Sequence, residues 1–279
     1  MAQNSLLNLV HDELGKGVVL TMKNESDVLS TIDFKQIQSN MYSYNVSDVL
    51  PSVCFRALGE NPDALELVTG VEKEELTILF GDVKTDRALG AYQNINDVRA
   101  EQTIAAAVAL AQKYEECFFY GKGDSKNFKG LEARLKDRKG TKVVGAITGA
   151  DADADAELEL LYKLVDAVHG RPDVLYLNKS TRRSINKLMR KTGITTGSVE
   201  RFGKQVESFD GVPMVVTEQV KNGDIFAVKY GQEFVQGLTI NGIQTQEAES
   251  QGVFLRTKVE GYMGLMTAHP KSFAMLTSK

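Results

Sequence analysis

The residue types most able to do chemistry are few and scattered. Three histidines (His11, His169, His269) and two cysteines (Cys54, Cys117) are the only ones in the chain. No HxxxH or HExxH spacing puts two imidazoles on one helix face, and no CxxC pair offers a zinc or redox centre. A Cys–His dyad would have to be assembled in space, for example from Cys54 and His169. No GxSxG turn is present to expose an activated serine. The glycine-rich stretch GKGDSKNFKG invites a phosphate-cradle reading, but it lacks GxxxxGK[ST] and has Lys126 where GxGxxG needs its third glycine. It also follows a helical pattern rather than a strand. Asp151, Asp153 and Asp155 imitate the first half of a calcium loop, yet Ala156 stands where the sharp turn needs glycine and Tyr162 where a bidentate Glu belongs. Those acids serve better as complements to the positive N-terminus of a following helix. The expectation is no catalytic residue, no cofactor-binding residue and no metal ligand.

Charge, by contrast, comes in blocks. Positions 60–75 hold six acids and one lysine, positions 122–142 eight basic residues and three acids, and positions 179–204 eight basic residues against Glu200 alone. A solvated helix face is the plain reading of the last block. The sharper reading is pairing between copies of the chain, in which opposite charges set register more than affinity. Glu72, Glu74 and Glu75 on one side and Arg182, Arg183 and Lys187 on the other are the candidate inter-subunit contacts.

The elements that must position these residues read as mixed α+β. The chain has 279 residues, 42% of them hydrophobic and 25% charged, with a formal net charge of −4. That is enough apolar material for a sizeable core, and too little positive charge for a surface built wholly to grip nucleic acid. No basic start with an apolar run suggests a secretion signal, and no apolar window is long enough to span a membrane. Residues 1–33 mix short apolar clusters with polar residues and read as an arm that needs a neighbour to order it. VLPSVCFRAL and LTILFGDV, separated by the acidic stretch, suggest a β-hairpin arm. Asn96 opens a long helix with Ile104, Ala107, Val108, Ala111, Tyr114 and Phe118 at the helical period and Gly121 just past its end. KVVGAIT suggests a strand. A second helix carries Leu158, Leu161, Val165 and Val168 up to Gly170 and Pro172. DVLYLN reads as a buried strand before a basic helix capped by Ser180 or Thr181, and FDGVPMVV and the closing segment VFLRTKVEGYMGLMTAHPKSFAML read as strands.

That order of elements resembles the major capsid proteins of tailed bacteriophages, with the Hong Kong 97-like fold. The resemblance is carried by VLPSVCFRAL entering the hairpin, by the long helix running into a turn at Gly123, Asp124, Phe128, Gly130 and Leu131, and by the strand start from Phe209 to Pro213. It spans nearly the whole chain, with its specificity in the order of the pieces. It implies an N-terminal arm at 1–33, an extended loop at 48–90, a peripheral domain with the spine helix at 91–145 and 252–279, and an axial domain at 146–251. The resemblance further implies self-assembly into pentamers and hexamers, an icosahedral shell in the virion built in the host cytoplasm, and packaged double-stranded DNA met without sequence-specific contact. Expected partners are the chain itself, a separate scaffolding protein, a portal and decoration proteins, with no membrane and no cofactor. Lys73 and Lys84 fall in the hairpin arm, but no motif marks an acceptor, so no covalent cross-link is expected. Two alternatives stand beside this one: an encapsulin-like compartment enclosing a protein cargo, and a soluble α+β enzyme whose site is assembled in space.

Overall fold

The structure, a computed structural model, describes residues 5–10, 13–46, 55–59, 70–86, 88, 98–137, 140–149, 154–194, 197–201 and 204–278. His11, Cys54, Asn96, Asp151 and Asp153, and the acids at 60, 63 and 66, lie outside them. The chain opens with three helices, α1 (Ser5–Asn8), α2 (Glu13–Glu25) and α3 (Asp27–Thr31). Strands β1 (Phe34–Gln36), β2 (Met41–Val46), β3 (Gly70–Glu75) and β4 (Thr77–Asp86) lead to the long helix α4 (Val98–Tyr120). Next come β5 (Lys122–Asp124), β6 (Asn127–Lys129), α5 (Leu131–Leu135), β7 (Thr141–Val144), α6 (Ala154–Asp166), β8 (Val174–Leu177) and α7 (Lys179–Thr192). The rest is strand: β9 (Gly197–Arg201), β10 (Lys204–Phe209), β11 (Val212–Val216), β12 (Ile225–Val228), β13 (Val235–Gln251), β14 (Phe254–Thr267) and β15 (Phe273–Thr277).

A seven-stranded sheet has the order β7-β15-β12-β8-β11-β10-β9, and a four-stranded sheet the order β1-β13-β14-β4. The run Val174–Leu177 is apolar without alternation because both faces of β8 are covered. Leu175 and Leu177 pack with Leu161, Leu164 and Val165 of α6 and with Ile185 and Leu188 of α7. Val174 and Tyr176 face the other way, into the cluster that holds the aromatic end of α4. There Phe119 meets Tyr176 at 5.4 Å and Phe226 at 4.9 Å between ring centroids. Strands β10 and β11 are joined by Asp210 (φ 47°) and Gly211 (φ 71°), the two left-handed residues of a tight hairpin turn.

Helix α4 buries Ala107, Leu110, Ala111, Tyr114 and Phe118, while Ile104, expected on that stripe, is exposed. Its end is fixed by backbone approach. A Cβ on Gly121 would sit 2.2 Å from the Phe128 carbonyl and 2.5 Å from that of Cys117. Only glycine lets β5 and β6 fold back against the helix terminus.

Four expectations are corrected. Residues 5–32 do not wait for a neighbour: Leu6, Val10, Val18, Val19, Met22, Val28, Leu29 and Ile32 are buried in the same cluster as Ala107, Ala111 and Tyr114, with α2 packed on α4. Short clusters that cannot make a core alone make one against the apolar stripe of a long helix. The arm pairs differently, too. β3 pairs antiparallel with β2, from Met41↔Glu75 to Val46↔Gly70, whereas β4 pairs with β14, and residues 55–58 of VLPSVCFRAL are not strand. The boundaries at 145/146 and 251/252 cut across both sheets, because β7 and β15 form one end of the seven-stranded sheet and β13 belongs to the four-stranded one. Finally, the cap of α7 is Asn178, whose side chain accepts from the Ser180 N–H, while Thr181 is buried and its hydroxyl accepts from the Gly223 N–H at 3.1 Å.

Candidate assembly surface

The structure places the six candidate contacts on two separate supports. Glu72, Glu74 and Glu75 lie on β3 in the two-stranded β2–β3 sheet; Arg182, Arg183 and Lys187 lie on α7, against the seven-stranded sheet. Alternation along β3 divides the acids. Glu72 and Glu74 share the face of Tyr42 and Tyr44, and Glu75 sits with Lys73 on the other.

Glu74 is spent inside the subunit. It is the one buried side chain of β3, and its carboxylate takes a two-pronged ion pair from Arg134, which is itself only 1% exposed. The Tyr44 hydroxyl donates to Glu74 Oε1 at 3.0 Å, with Glu72 Oε2 at 3.4 Å and the Thr267 carbonyl at 3.3 Å also in reach. Burial, with the Glu74 charge beside it, pushes the Tyr44 phenol up to about 12, so it remains a neutral donor. Glu75 is exposed and Glu72 half-buried, so the acidic charge offered outward is theirs. A charge run read only as composition hides this split; period-two spacing sets Glu72 and Glu74 apart from Glu75, but only Arg134, 60 positions on, sets Glu74 apart from Glu72.

On α7 the buried residues Thr181, Ile185, Leu188 and Met189 face the core, which turns Arg183, Lys187 and Arg190 outward at helical spacing. Arg182 leans toward Glu207, with its Nε 4.0 Å from Oε2, and Lys179 pairs with Glu218. Lys191 Nζ donates to the Gly149 carbonyl at 2.8 Å. Arg183 and Lys187 therefore remain the outward charges of the predicted trio.

The other chemical candidates resolve into structure. In GKGDSKNFKG the Asp124 carboxylate accepts the N–H groups of Lys126 and Asn127, both at 2.9 Å, and these contacts hold its pKa down. The amides a phosphate would need are already taken. Cys117 is buried, its thiol pKa is pushed up by that burial, and its Sγ meets Asn127 Oδ1 at 3.2 Å. His169 and His269 do come together, with ring centroids 4.8 Å apart, but His269 Nδ1 accepts the Lys271 N–H at 3.0 Å. Among the described residues no group of three or more His, Cys, Asp or Glu could hold a metal ion, and no helix is long and apolar enough to cross a membrane. Glu157, one of the acids at the start of α6, is buried and accepts the N–H groups of Thr148 and Gly149 at 3.0 and 2.8 Å, tying down the loop after β7.

One buried acid was missed by sequence reasoning. Glu115, on the core side of α4, accepts from Ser26 Oγ at 2.8 Å and Thr217 Oγ1 at 2.9 Å, and burial raises its pKa. It joins the N-terminal helices, the long helix and the end of β11 at one point.

Solved structures similar to this one include an encapsulin, a phage chain and a virus-like particle. The encapsulin in the holo-SrpI complex from Synechococcus elongatus PCC 7942 is 16% identical, with 90% of this chain and 86% of that one covered at a TM-score of 0.68. The Microbacterium phage Oxtober96 chain is 13% identical, with 90% of each covered at 0.66. The virus-like particle of Pyrococcus furiosus is 10% identical, with 95% and 97% covered at 0.65. These likenesses show the Hong Kong 97-like fold. No curated protein sequence matches the chain. The model of the phage capsid family, however, matches residues 96–276, from the long helix to the last strand. With more than half its length matched, and with the fold to agree, the chain belongs to the phage capsid family.

Proposed function

We propose that this shell-forming protein is the major capsid protein of a tailed phage, assembling as pentamers and hexamers into an icosahedral head around double-stranded DNA. The observation that carries the reading is the family match across residues 96–276. In this reading the seven-stranded sheet with α6 and α7 is the axial domain, and α4 with the four-stranded sheet is the peripheral domain. Residues 48–90 are the extended loop, and residues 1–33 are an arm that runs back along its own subunit. Glu72 and Glu75 of one copy meet Arg183 and Lys187 of another, which sets the register of neighbours. A separate scaffolding protein and a portal take part in assembly, decoration proteins attach to the finished shell, and DNA is held as packed phosphate charge without sequence readout. Assembly takes place in the host cytoplasm, and the chain works as a structural protein rather than an enzyme.

An encapsulin-like compartment is the second reading, and one observation favours it. The N-terminal helices border a cleft with Lys23, Asp27 and Ser30 on one wall and Arg182, Gln205 and Glu207 on the other, a place where a cargo segment could dock. Particles isolated from the cells that make them separate the two. Long nuclease-resistant DNA inside closed shells supports the head protein. A protein copurifying at fixed stoichiometry, without such DNA, supports the compartment.

A further inference from the structure

The β2–β3 pair is a two-stranded sheet of its own, and such a ribbon is marginal unless something anchors it. Its two strands are anchored differently. Tyr44 and Val46 of β2 enter a small apolar cluster with Ile37, Leu238 and Met266. β3 has no apolar anchor; its one buried side chain is Glu74.

Arg134 meets that carboxylate with two of its donors and spends the other three on its surroundings. Nη2 donates to Glu74 Oε2 at 2.9 Å and to the Leu265 carbonyl at 2.7 Å. Nη1 donates to Glu74 Oε1 and to Thr267 Oγ1, the latter at 3.2 Å, and Nε donates to the Lys129 carbonyl at 3.1 Å. Five N–H groups thus fix β3 to β14 and to the end of β6 in one plane, which only a guanidinium fork can do.

We propose that Arg134 is a positioning residue for assembly: by fixing β3 against β14 and the end of β6, it sets where the outward carboxylates of Glu72 and Glu75 stand on the subunit. The proposal rests on the shell reading, in which those acids contact a neighbour.

The test uses two variants. In the Glu74→Leu/Arg134→Met double variant both charges go together, so no unpaired charge is left buried. Arg134→Lys keeps the charge but replaces the planar fork by a flexible ammonium. The expected result for both is a subunit with wild-type secondary structure, at least tenfold faster amide exchange in residues 41–46 and 70–75, and shells of mixed diameter or at least tenfold lower yield. Uniform shells of wild-type diameter and yield from either variant would overturn the proposal. If the double variant does not fold, Arg134→Lys decides alone. Absence of shells from the wild-type chain under the same conditions would defeat the shell reading itself.

Discussion

Glu115 shows what a single buried carboxyl does in this molecule. Its partners are hydroxyls and, at 3.5 Å, the Val28 N–H, and desolvation outweighs them, so its pKa is raised in the folded state. A group whose folded pKa is raised contributes stability that is whole below its unfolded value, about 4.3, and is lost as pH rises through the folded value. Glu115→Gln keeps the size and an acceptor oxygen, and the Ser26 and Thr217 hydroxyls can turn to suit the amide. The expected outcome is that wild type loses stability relative to Glu115→Gln from about pH 5 upward, read as urea midpoints at several pH values. Parallel curves would contradict this. None of it was legible in the sequence, where Glu115 is one acid among many, because its partners lie 89 and 102 positions away. The same holds for Glu74, whose charge pointed to a docking role until Arg134, 60 positions on, took it up. The Asp124 turn was legible in part. Departures from the phosphate-loop patterns excluded that chemistry, and the two amides bound to Asp124 supply the physical reason.

Among the elements, those built on strong local periodicity were readable. α4, α6, β8 and α7 fall where apolar spacing and end signals place them, within a few residues. β3 was hidden because GVEKEE looks like a polar turn. It stands as a strand because its inward Glu74 is neutralised by Arg134 and hydrogen-bonded by Tyr44, rather than held by apolar packing. β4 was readable as a strand but not as the partner of β14, since nothing local encodes a pairing across so long a loop. Two predictions belong here. Gly121→Ala places a methyl against two backbone carbonyls that cannot move independently, so it should cost about 3 kcal/mol or more in urea denaturation of the subunit. Leu29→Ala, in the N-terminal segment, should cost about 2–4 kcal/mol in the same experiment, because Leu29 lies within the subunit's own core. A wild-type midpoint for Leu29→Ala would show that the segment is held only by neighbours.

For the whole molecule, the order of pieces carried more than any piece. Arm, acidic loop, long helix and two α/β regions are each degenerate patterns, but their sequence narrows the fold to one family. What stayed unread was how the two sheets share the chain, with β13 leaving the first for the second and β15 returning. Charge should act at this scale. Glu72→Lys/Glu75→Lys, which spares the buried Glu74, should slow assembly about tenfold at low salt without lowering the thermal midpoint of the subunit. Adding Arg183→Glu and Lys187→Glu should restore part of the rate, as light scattering would record. Unchanged assembly after the first pair of substitutions would rule out charge-guided register. The most direct test of the central claim is electron microscopy of the purified protein, with light scattering alongside. Closed particles, or rings of five or six subunits, are the predicted result; a monodisperse monomer at high concentration, even with crowding agents or a scaffolding partner, would contradict it.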